Sequence, residues 1–226
     1  MWLRLEPELE ASFPGLRALL SRAEGVVVRR ISGDLEKLKA EVVEEVRRGY
    51  ALESLKDHQV FRAYRDFFWR IGIDPTKVRP AAEALIRRIL GGRPLPTINT
   101  LVDAYNLASI RTCISIGAFD LDRIRGEMVM RRARDGEEFL GIGMERPITL
   151  DGNEIVVSDS EKLIAIYPYR DSEETKITER TRNVIFLSCG VPGIPEERLR
   201  EASETTLEYV RRFCTSPPSP NPSPSV

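Results

Sequence analysis

The spacing of apolar residues changes once along the chain, near Ile116, and this change limits the folds open to it. Before this point, apolar residues recur at helical spacing and predict helices over residues 34–48, 52–71, 80–90 and 99–109. After it, short runs typical of strands cover 116–122, 127–134, 139–142, 148–150, 154–157, 163–169 and 183–189. A further amphipathic helix is predicted over 195–212. Helices followed by a series of strands and one more helix indicate an α+β fold.

The N-terminal part of the chain, residues 1–60, is predicted to form an α/β extension. Alternation around Leu3 and Leu5 predicts a strand, residues 15–22 a short helix, and the valine-rich run at 25–29 a buried strand. We expect this extension to pack on a second unit, residues 61–214, as one compact body. Residues 215–226 are rich in proline and serine and are predicted to form a disordered tail.

Composition excludes several classes of protein. Lysine and arginine number 34 against 35 aspartates and glutamates, which excludes a strongly basic nucleic-acid-binding protein but not a local basic face. One histidine rules out a zinc site with two histidines and makes any Ser–His–Asp triad depend on His58. The three cysteines lack CxxC spacing, which argues against a disulfide framework and a Cys-only zinc site. We expect no metal, no cofactor, no membrane segment, no signal peptide and a cytoplasmic location.

One polar segment lies on the predicted helix at 99–109. Asn99, Asp103 and Asn106 fall at helical spacing and therefore share a face. Asparagine and aspartate are unfavourable inside helices because they compete for backbone hydrogen bonds, so their recurrence suggests binding. The alternative, which the chemistry alone favours, is an N-cap plus one buried asparagine that holds a neighbouring loop.

Two later segments combine acids with aromatic residues. Asp120 follows Phe119 at a strand end, where it could orient a ligand or, more commonly, accept backbone hydrogen bonds in a turn. The loop that begins at Tyr169 offers a stacking face, and Arg170, Asp171 and Thr175 offer hydrogen-bonding groups. A solvated charged loop is an equally good interpretation. Cys189 has no basic neighbour in the sequence and is predicted to be a buried, inert thiol.

Several short motifs occur in a fixed order through the second unit. They are Ile98–Asn99, Val102–Asp103, Asn106, Gly117–Ala118–Phe119–Asp120, Leu121–Asp122, Ala133–Arg134–Asp135–Gly136–Glu137–Glu138, Leu150–Asp151–Gly152 and Val157–Ser158–Asp159. This ordered set resembles the editing module of the phenylalanyl-tRNA synthetase β subunit, formed by that subunit's third and fourth domains. Free-standing proteins built of this module are more similar still. The additional shared motifs are Gly72–Ile73–Asp74–Pro75, Arg79, Glu83–Ala84–Leu85 and Tyr169–Arg170–Asp171.

The resemblance implies an α+β fold with a central, mostly antiparallel sheet and flanking helices. It also implies hydrolysis of the ester that links a wrong amino acid to the terminal adenosine of tRNA, in trans for the free-standing members. Bacterial synthetases have a histidine where this chain has Gly117, so the imidazole is absent and we expect Gly117 to leave space for a larger side chain. The pocket glutamate of the synthetase falls near Glu173 or Glu174.

Hydrolysis without the histidine remains chemically reasonable, because an aminoacyl ester is already activated and needs positioned water and electrostatic help. The hypothesis is substrate-assisted hydrolysis, in which the ribose hydroxyl of the substrate could relay a proton. The catalytic candidates are Asp171 and Asp120, either of which could orient water. Asn106 and Tyr169 would hold the amino acid, and backbone amides near Gly117 or from Gly141 to Gly143 would stabilise the oxyanion. The full set predicted to bind substrate is Asn99, Asp103, Asn106, Gly117, Phe119, Gly141, Gly143, Tyr169, Arg170, Glu173 and Thr175.

Contact with RNA requires cations, and the sequence offers several. The chosen candidates are Arg87, Arg88, Arg93 and Lys176, with further arginines at 123, 125, 131, 132 and 134. Solvated faces with acids nearby are the alternative, given the near-zero net charge. We expect weak, salt-sensitive binding of the tRNA acceptor end, with the terminal adenosine stacked on Tyr169 or Phe119.

Three functions follow from the sequence. The first is a trans-acting aminoacyl-tRNA deacylase that recognises the acceptor end of tRNA and the attached amino acid. The second is a tRNA- or RNA-binding module without catalysis, and the third is a protein that binds a free amino acid or a related small molecule. Polar residues in all three segments favour a working pocket over a bare RNA-binding surface.

Overall fold

The computed structural model describes residues 1–215, so all but the first residue of the predicted tail lies outside the described residues. The helices predicted over 34–48, 80–90, 99–109 and 195–212 are present with ends displaced by a few residues, and the helix predicted over 52–71 begins only at residue 59. A short additional helix lies near the N-terminus. Within the described residues the α-helices are α1 Pro7–Ser12, α2 Gly33–Gly49, α3 Gln59–Arg70, α4 Ala81–Leu90, α5 Thr100–Thr112 and α6 Glu196–Phe213. None of these helices is long and apolar enough to cross a lipid bilayer.

The strands of residues 1–215 form two main sheets and one small ribbon. They are β1 Arg4–Leu5, β2 Arg17–Ala23, β3 Ile116–Asp120, β4 Val129–Arg132, β5 Glu138–Phe139, β6 Ile148–Thr149, β7 Ile155–Ser158, β8 Leu163–Ile166, β9 Arg170–Asp171 and β10 Val184–Gly190. The larger sheet has the order β1-β4-β7-β8-β9, the smaller β2-β10-β3, and β5 pairs with β6. All pairs are antiparallel except β1 with β4. The α+β class and the antiparallel pairing are confirmed, and the strands divide between two sheets.

The N-terminal residues contribute one strand to each main sheet, since β1 pairs with β4 and β2 pairs with β10. The helix predicted over 15–22 is wrong, because these residues form β2 along the edge of the smaller sheet. The strand predicted over 25–29 is also wrong. Val26 and Val28 are buried, but the Val26 and Val27 amides donate to carbonyls of two unrelated segments, Arg182 and Cys214.

The junction between α5 and β3 is held by a buried tyrosine on α3. The Tyr64 hydroxyl accepts a hydrogen bond from the Ser115 amide at 3.0 Å and donates to the Cys189 carbonyl. α5 ends at Thr112, and the next residue, Cys113, has a φ of 61°, which places it in the left-handed region. These contacts fix the start of β3 against the end of β10 and so determine what faces the larger sheet.

Candidate functional site

A small cavity of about 70 Å³ lies where β3 of the smaller sheet meets β9 of the larger sheet. Among the side chains that line it, Asp171 is the only acid within the part of the chain that the structure describes. The other lining residues that matter chemically are Ala81, Ser115, Gly117, Tyr169 and Cys189. Of the residues predicted to bind or act on substrate, the cavity therefore brings together Gly117, Tyr169 and Asp171.

Asp171 is held on a two-residue strand with its carboxyl group enclosed between the sheets. Burial raises its pKa to about 7, because a carboxylate loses hydration there. The Ala118 backbone amide and the positive charge of Arg170 act in the opposite direction and do not cancel the burial. Asp171 is consequently close to half ionised at neutral pH, which suits a group that must accept and return a proton.

The space expected at Gly117 is already occupied. A Cβ atom on residue 117 would lie 3.1 Å from Oδ1 of Asp171 and 3.3 Å from Cζ of Phe119. The prediction that Gly117 admits a larger substrate side chain is therefore wrong, because the carboxyl group and an aromatic ring fill that volume. What glycine permits instead is the close approach of Asp171.

The loop at 140–143 is tied to the segment that carries Asp171. The Ile142 amide donates to the Asp171 carbonyl, and the Glu173 amide donates to the Leu140 carbonyl, both at 2.9 Å. The aliphatic part of Arg170 packs over Gly141, where a Cβ atom would lie 2.7 Å from its Cγ and Cδ atoms. Gly143 has a φ of +78° and open space around it. Neither glycine lines the cavity.

Tyr169 forms the wall between the cavity and a neighbouring groove of about 550 Å³. Its ring packs edge-on against Phe68, with the ring centroids 6.2 Å apart. Tyr169 is half-buried and retains access to both spaces. Phe119, by contrast, is fully buried beneath the cavity and offers no free face to a base.

Two of the three polar residues on α5 serve the helix itself. The side chain of Asn99 is the N-cap and accepts hydrogen bonds from the Leu101 and Val102 amides at 3.1 and 2.9 Å. Asp103 accepts from the Ile98 amide at 3.0 Å and forms a buried ion pair with Lys39, also at 3.0 Å. Asn106 lies half-buried one turn later.

The remaining acids and Thr175 lie outside the cavity. Asp120 accepts hydrogen bonds from the Thr181 hydroxyl at 2.8 Å and the Asp122 amide at 3.1 Å. It is three residues beyond Gly117, which on a strand corresponds to about 10 Å. Glu173 pairs with Lys176, and Thr175 is buried with no hydrogen-bond partner for its hydroxyl in residues 1–215.

The predicted RNA-binding cations are mostly engaged within the protein. Arg87 pairs with the buried Glu83 at 2.7 Å, and Arg88 donates to the Pro94 carbonyl at 2.5 Å. Lys176 pairs with Glu173, while Arg93 is exposed just after α4. α4 starts at the cavity with Ala81 and places its arginines about 9 Å or more farther along its axis.

Two polar residues near Asp171, Tyr105 and Ser115, were not identified from the sequence, and Cys189 is buried as predicted. Burial and the charge of Asp171 raise the pKa of the Tyr105 phenol, which shows that this side chain lies within electrostatic reach of the acid. The same two causes raise the pKa of the Cys189 thiol far above its usual value and keep it protonated. Ser115 lines the cavity directly. The sequence pattern predicts only that Tyr105 lies on the apolar face of its helix, and no pattern around Ser115 indicates a site.

Metal ligation finds no support in the described geometry. Across residues 1–215, no group of three or more histidine, cysteine, aspartate or glutamate side chains could hold a metal ion. The side chains that line the cavity include the carboxyl group of Asp171, the hydroxyl groups of Ser115, Tyr167 and Tyr169, and the thiol of Cys189.

Comparisons with known proteins agree on one relationship. The β subunit of phenylalanine–tRNA ligase from Symbiobacterium thermophilum is 30% identical over 128 residues, which are 56% of this chain and 14% of that protein. The corresponding subunit from Xanthomonas campestris is 32% identical over 118 residues, 52% of this chain and 14% of the relative. The chain thus spans about one seventh of the length of these curated relatives.

A solved structure shows a likeness over most of the chain. It is an N-terminal fragment of the phenylalanyl-tRNA synthetase β subunit from Pyrococcus horikoshii, with a TM-score of 0.49 and 16% identity, covering 93% of this chain and 48% of that one. The profile of a family described as the B3/4 domain matches residues 63–215, well over half of the sequence. The chain belongs to the B3/4 domain family and is homologous to the corresponding region of the phenylalanyl-tRNA synthetase β subunit.

Proposed function

We propose that this chain hydrolyses the ester that joins a wrongly attached amino acid to the terminal adenosine of tRNA. The observation that carries the proposal is the enclosed carboxyl group of Asp171, whose pKa of about 7 suits proton transfer, in a cavity walled by Gly117 and Tyr169. The relatives named above are subunits of a tRNA ligase, which supports a role connected with tRNA.

In the proposed reaction Asp171 acts as a general base. Its carboxylate accepts a proton from water as the water oxygen forms a bond to the ester carbonyl carbon, and the carbonyl electron pair moves onto oxygen. When the tetrahedral intermediate collapses, the bond from carbon to the ribose oxygen breaks and the Asp171 carboxylic acid returns the proton to that oxygen. The products are a free amino acid and tRNA with a free terminal hydroxyl.

The size of the cavity indicates how the substrate divides between two spaces. The cavity of about 70 Å³ has room for the attacking water beside the ester carbonyl. The neighbouring groove of about 550 Å³ shares Ile166, Tyr167 and Tyr169 with the cavity and has room for the larger part of the substrate. Tyr169 and the half-buried Asn106 are the proposed contacts to the amino acid.

The test is deacylation of a panel of correctly and wrongly charged aminoacyl-tRNAs. We expect selective loss of one or a few mischarged species, with kcat/KM that rises with pH and levels off above about 7 as Asp171 ionises. Asp171→Asn should lower the rate well beyond tenfold and remove this pH dependence. The exposed Asp122→Asn is the matched control and should retain the full rate.

Asp120→Asn examines the second acid that the sequence indicates. A normal rate for this variant would leave Asp171 as the acting carboxylate, whereas a tenfold loss only at Asp120 would move the role there. Absence of cleavage across the panel, in protein that binds uncharged tRNA, would favour an RNA-binding module. Tight binding of a free amino acid without any effect on tRNA would favour a small-molecule-binding protein.

A further inference from the structure

Ser115 has a buried hydroxyl group that the fold itself does not use. Its side chain lines the cavity that holds Asp171, is only 1% exposed, and has no hydrogen-bond partner for Oγ within the described residues. Leaving a buried hydroxyl unpaired is energetically unfavourable, so such a group is usually satisfied by water or by a ligand. The cavity is where that partner would lie.

The backbone around Ser115 is fixed from both sides, so the hydroxyl position is well defined. The Ser115 amide donates to the Tyr64 hydroxyl at 3.0 Å, and the Ser115 carbonyl accepts from the Cys189 amide at 2.9 Å. Only the rotation of the side chain remains free. A hydroxyl on such a fixed backbone can donate toward a ligand with little reorganisation, which is the property required of a group that stabilises developing charge.

A second group of hydrogen-bond donors lies next to the same cavity, at the start of α4. Ala81 is the first residue of this ten-residue helix and lines the cavity. Pro80 precedes it, and no side chain caps the helix. The first-turn amides of a helix have no intrahelical acceptors and carry partial positive charge. The helix end and the Ser115 hydroxyl therefore both offer hydrogen-bond donors to the space that Asp171 enters.

We propose that the Ser115 hydroxyl, together with the first-turn amides of α4, binds the carbonyl oxygen of the ester during hydrolysis. This inference rests on the proposed deacylation and adds a catalytic residue to it. As the water oxygen bonds to the carbonyl carbon, the carbonyl electron pair moves onto oxygen, and these donors stabilise the resulting negative charge. The pair returns to re-form the carbonyl when the bond to the ribose oxygen breaks.

This placement of the oxyanion donors differs from the prediction made from the sequence, which assigned them to backbone amides near Gly117 or from Gly141 to Gly143. The Gly141 amide points to the Met144 sulfur at 3.3 Å, and neither Gly141 nor Gly143 lines the cavity. Ser115 and Ala81 do line it, with Asp171. The base and the oxyanion donors consequently come from different segments of the chain and act on the same ester.

The experiment compares Ser115→Ala with Ser188→Ala. Ser188 is a matched control, because its hydroxyl is also buried and unpartnered within residues 1–215, but it lies on β10 and does not line the cavity. On the aminoacyl-tRNA that the wild type cleaves fastest, Ser115→Ala should lower kcat by about 10²–10³-fold, as removal of one oxyanion donor does elsewhere. KM should stay within about twofold of the wild-type value, because ground-state binding is untouched. The pH midpoint should stay within about 0.3 units, because Asp171 is untouched. Ser188→Ala should match the wild type.

An unchanged kcat for Ser115→Ala would overturn the inference while leaving the deacylase intact, and so would an equal loss in Ser188→Ala. Wild-type protein that cleaves nothing would instead refute the proposed function. In that case binding of the 3′-(1-aminoethyl)phosphonate ester of adenosine, whose anionic tetrahedral phosphorus mimics the intermediate, decides the matter. Binding at least tenfold weaker in Ser115→Ala supports the site as an oxyanion-binding site, and equal affinities, or no binding by the wild type, overturn it.

Discussion

Gly117 and Asp171 face each other across the two main sheets, so closely that a Cβ atom on residue 117 would lie 3.1 Å from Oδ1 of the acid. One residue belongs to β3 and the other to β9. Because residue 117 has no side chain, the carboxyl group of Asp171 can lie directly against it. In a homologous protein with histidine at this position, the acid would have to occupy a different place.

Gly117→Ala should impair the site more than its size suggests. The added methyl group forces Asp171 or Phe119 to move by a few tenths of an ångström, and misplacement of a catalytic group lowers rates steeply. We expect at least a tenfold lower kcat/KM and a free energy of unfolding about 1–3 kcal/mol smaller, as for other overpacked sites. Deacylation kinetics and urea unfolding measure the two effects. Gly33→Ala is the control, since a Cβ atom there meets nothing within 4 Å; equal activity of Gly117→Ala and wild type would contradict the prediction.

Asp171→Asn should stabilise the protein at neutral and alkaline pH. The pKa of Asp171 is raised from 3.8 to about 7 on folding, so the unfolded chain ionises more easily than the folded one. The wild type therefore loses stability as pH rises from about 4 to about 7, at up to ~1.4 kcal/mol per pH unit, and the penalty is constant above that. Asparagine carries no such penalty. Urea unfolding at pH 4.5, 6 and 8, roughly, should show an advantage for the variant that grows with pH; an advantage that is independent of pH would argue against the raised pKa.

The buried ion pair between Lys39 and Asp103 should matter for stability far more than a surface pair on the same helix. Lys39→Met leaves the Asp103 carboxylate buried without its cation and should cost about 3–5 kcal/mol. Lys37→Met removes an exposed, solvent-screened pair with Asp34 and should leave the stability close to that of the wild type. Chemical denaturation of both variants provides the measurement. Similar losses in the two would show that Asp103 finds another partner or is protonated.

Asn99 allows a capping role to be separated from a binding role. Asn99→Ala removes the acceptor for the Leu101 and Val102 amides and should cost about 1 kcal/mol of unfolding free energy. Asn99→Asp keeps the cap and should keep the stability. If the residue serves only α5, both variants should have wild-type kcat/KM per folded molecule. A selective rise in KM for Asn99→Asp would instead point to contact with substrate.

The helices were predictable from sequence because their signals are local. Apolar residues at helical spacing located α2 and α6, and the pair of glycines after Leu90 located the end of α4. Asn99 was recognised as a potential cap from its residue type and position alone. Each of these features depends on residues within a few positions of one another.

The two errors near the N-terminus arose where distant partners decide the structure. Residues 17–23 alternate too weakly to predict a strand, but β10 offers them a full edge with which to pair. The valines at 26 and 28 predict a strand by composition, yet their burial comes from packing and single hydrogen bonds to separate segments. β-branched residues indicate burial as much as they indicate pairing.

The candidate site was predictable only in part, for a related reason. Asp171 and Tyr169 fall in one conspicuous loop and could be selected together. Ser115 and Ala81 come from segments that are distant in the sequence and meet at the cavity, which no short pattern records. The residue type and helical position of Asp103 predict a binding residue. Its carboxylate instead forms an ion pair with Lys39, which is far away in the sequence.

The arrangement of the smaller sheet also determines when the site can exist during protein synthesis. β10 is the central strand of that sheet, pairing with β2 on one side and β3 on the other, although it is the last of the three to leave the ribosome. Until β10 emerges, β2 and β3 lack the strand that lies between them and pairs with both, so both present unpaired edges. Such non-local pairing is slow and exposes the nascent chain to aggregation. A partly translated chain should therefore be a client of ribosome-associated chaperones and lack the complete cavity, since Leu187 and Cys189 of β10 line it.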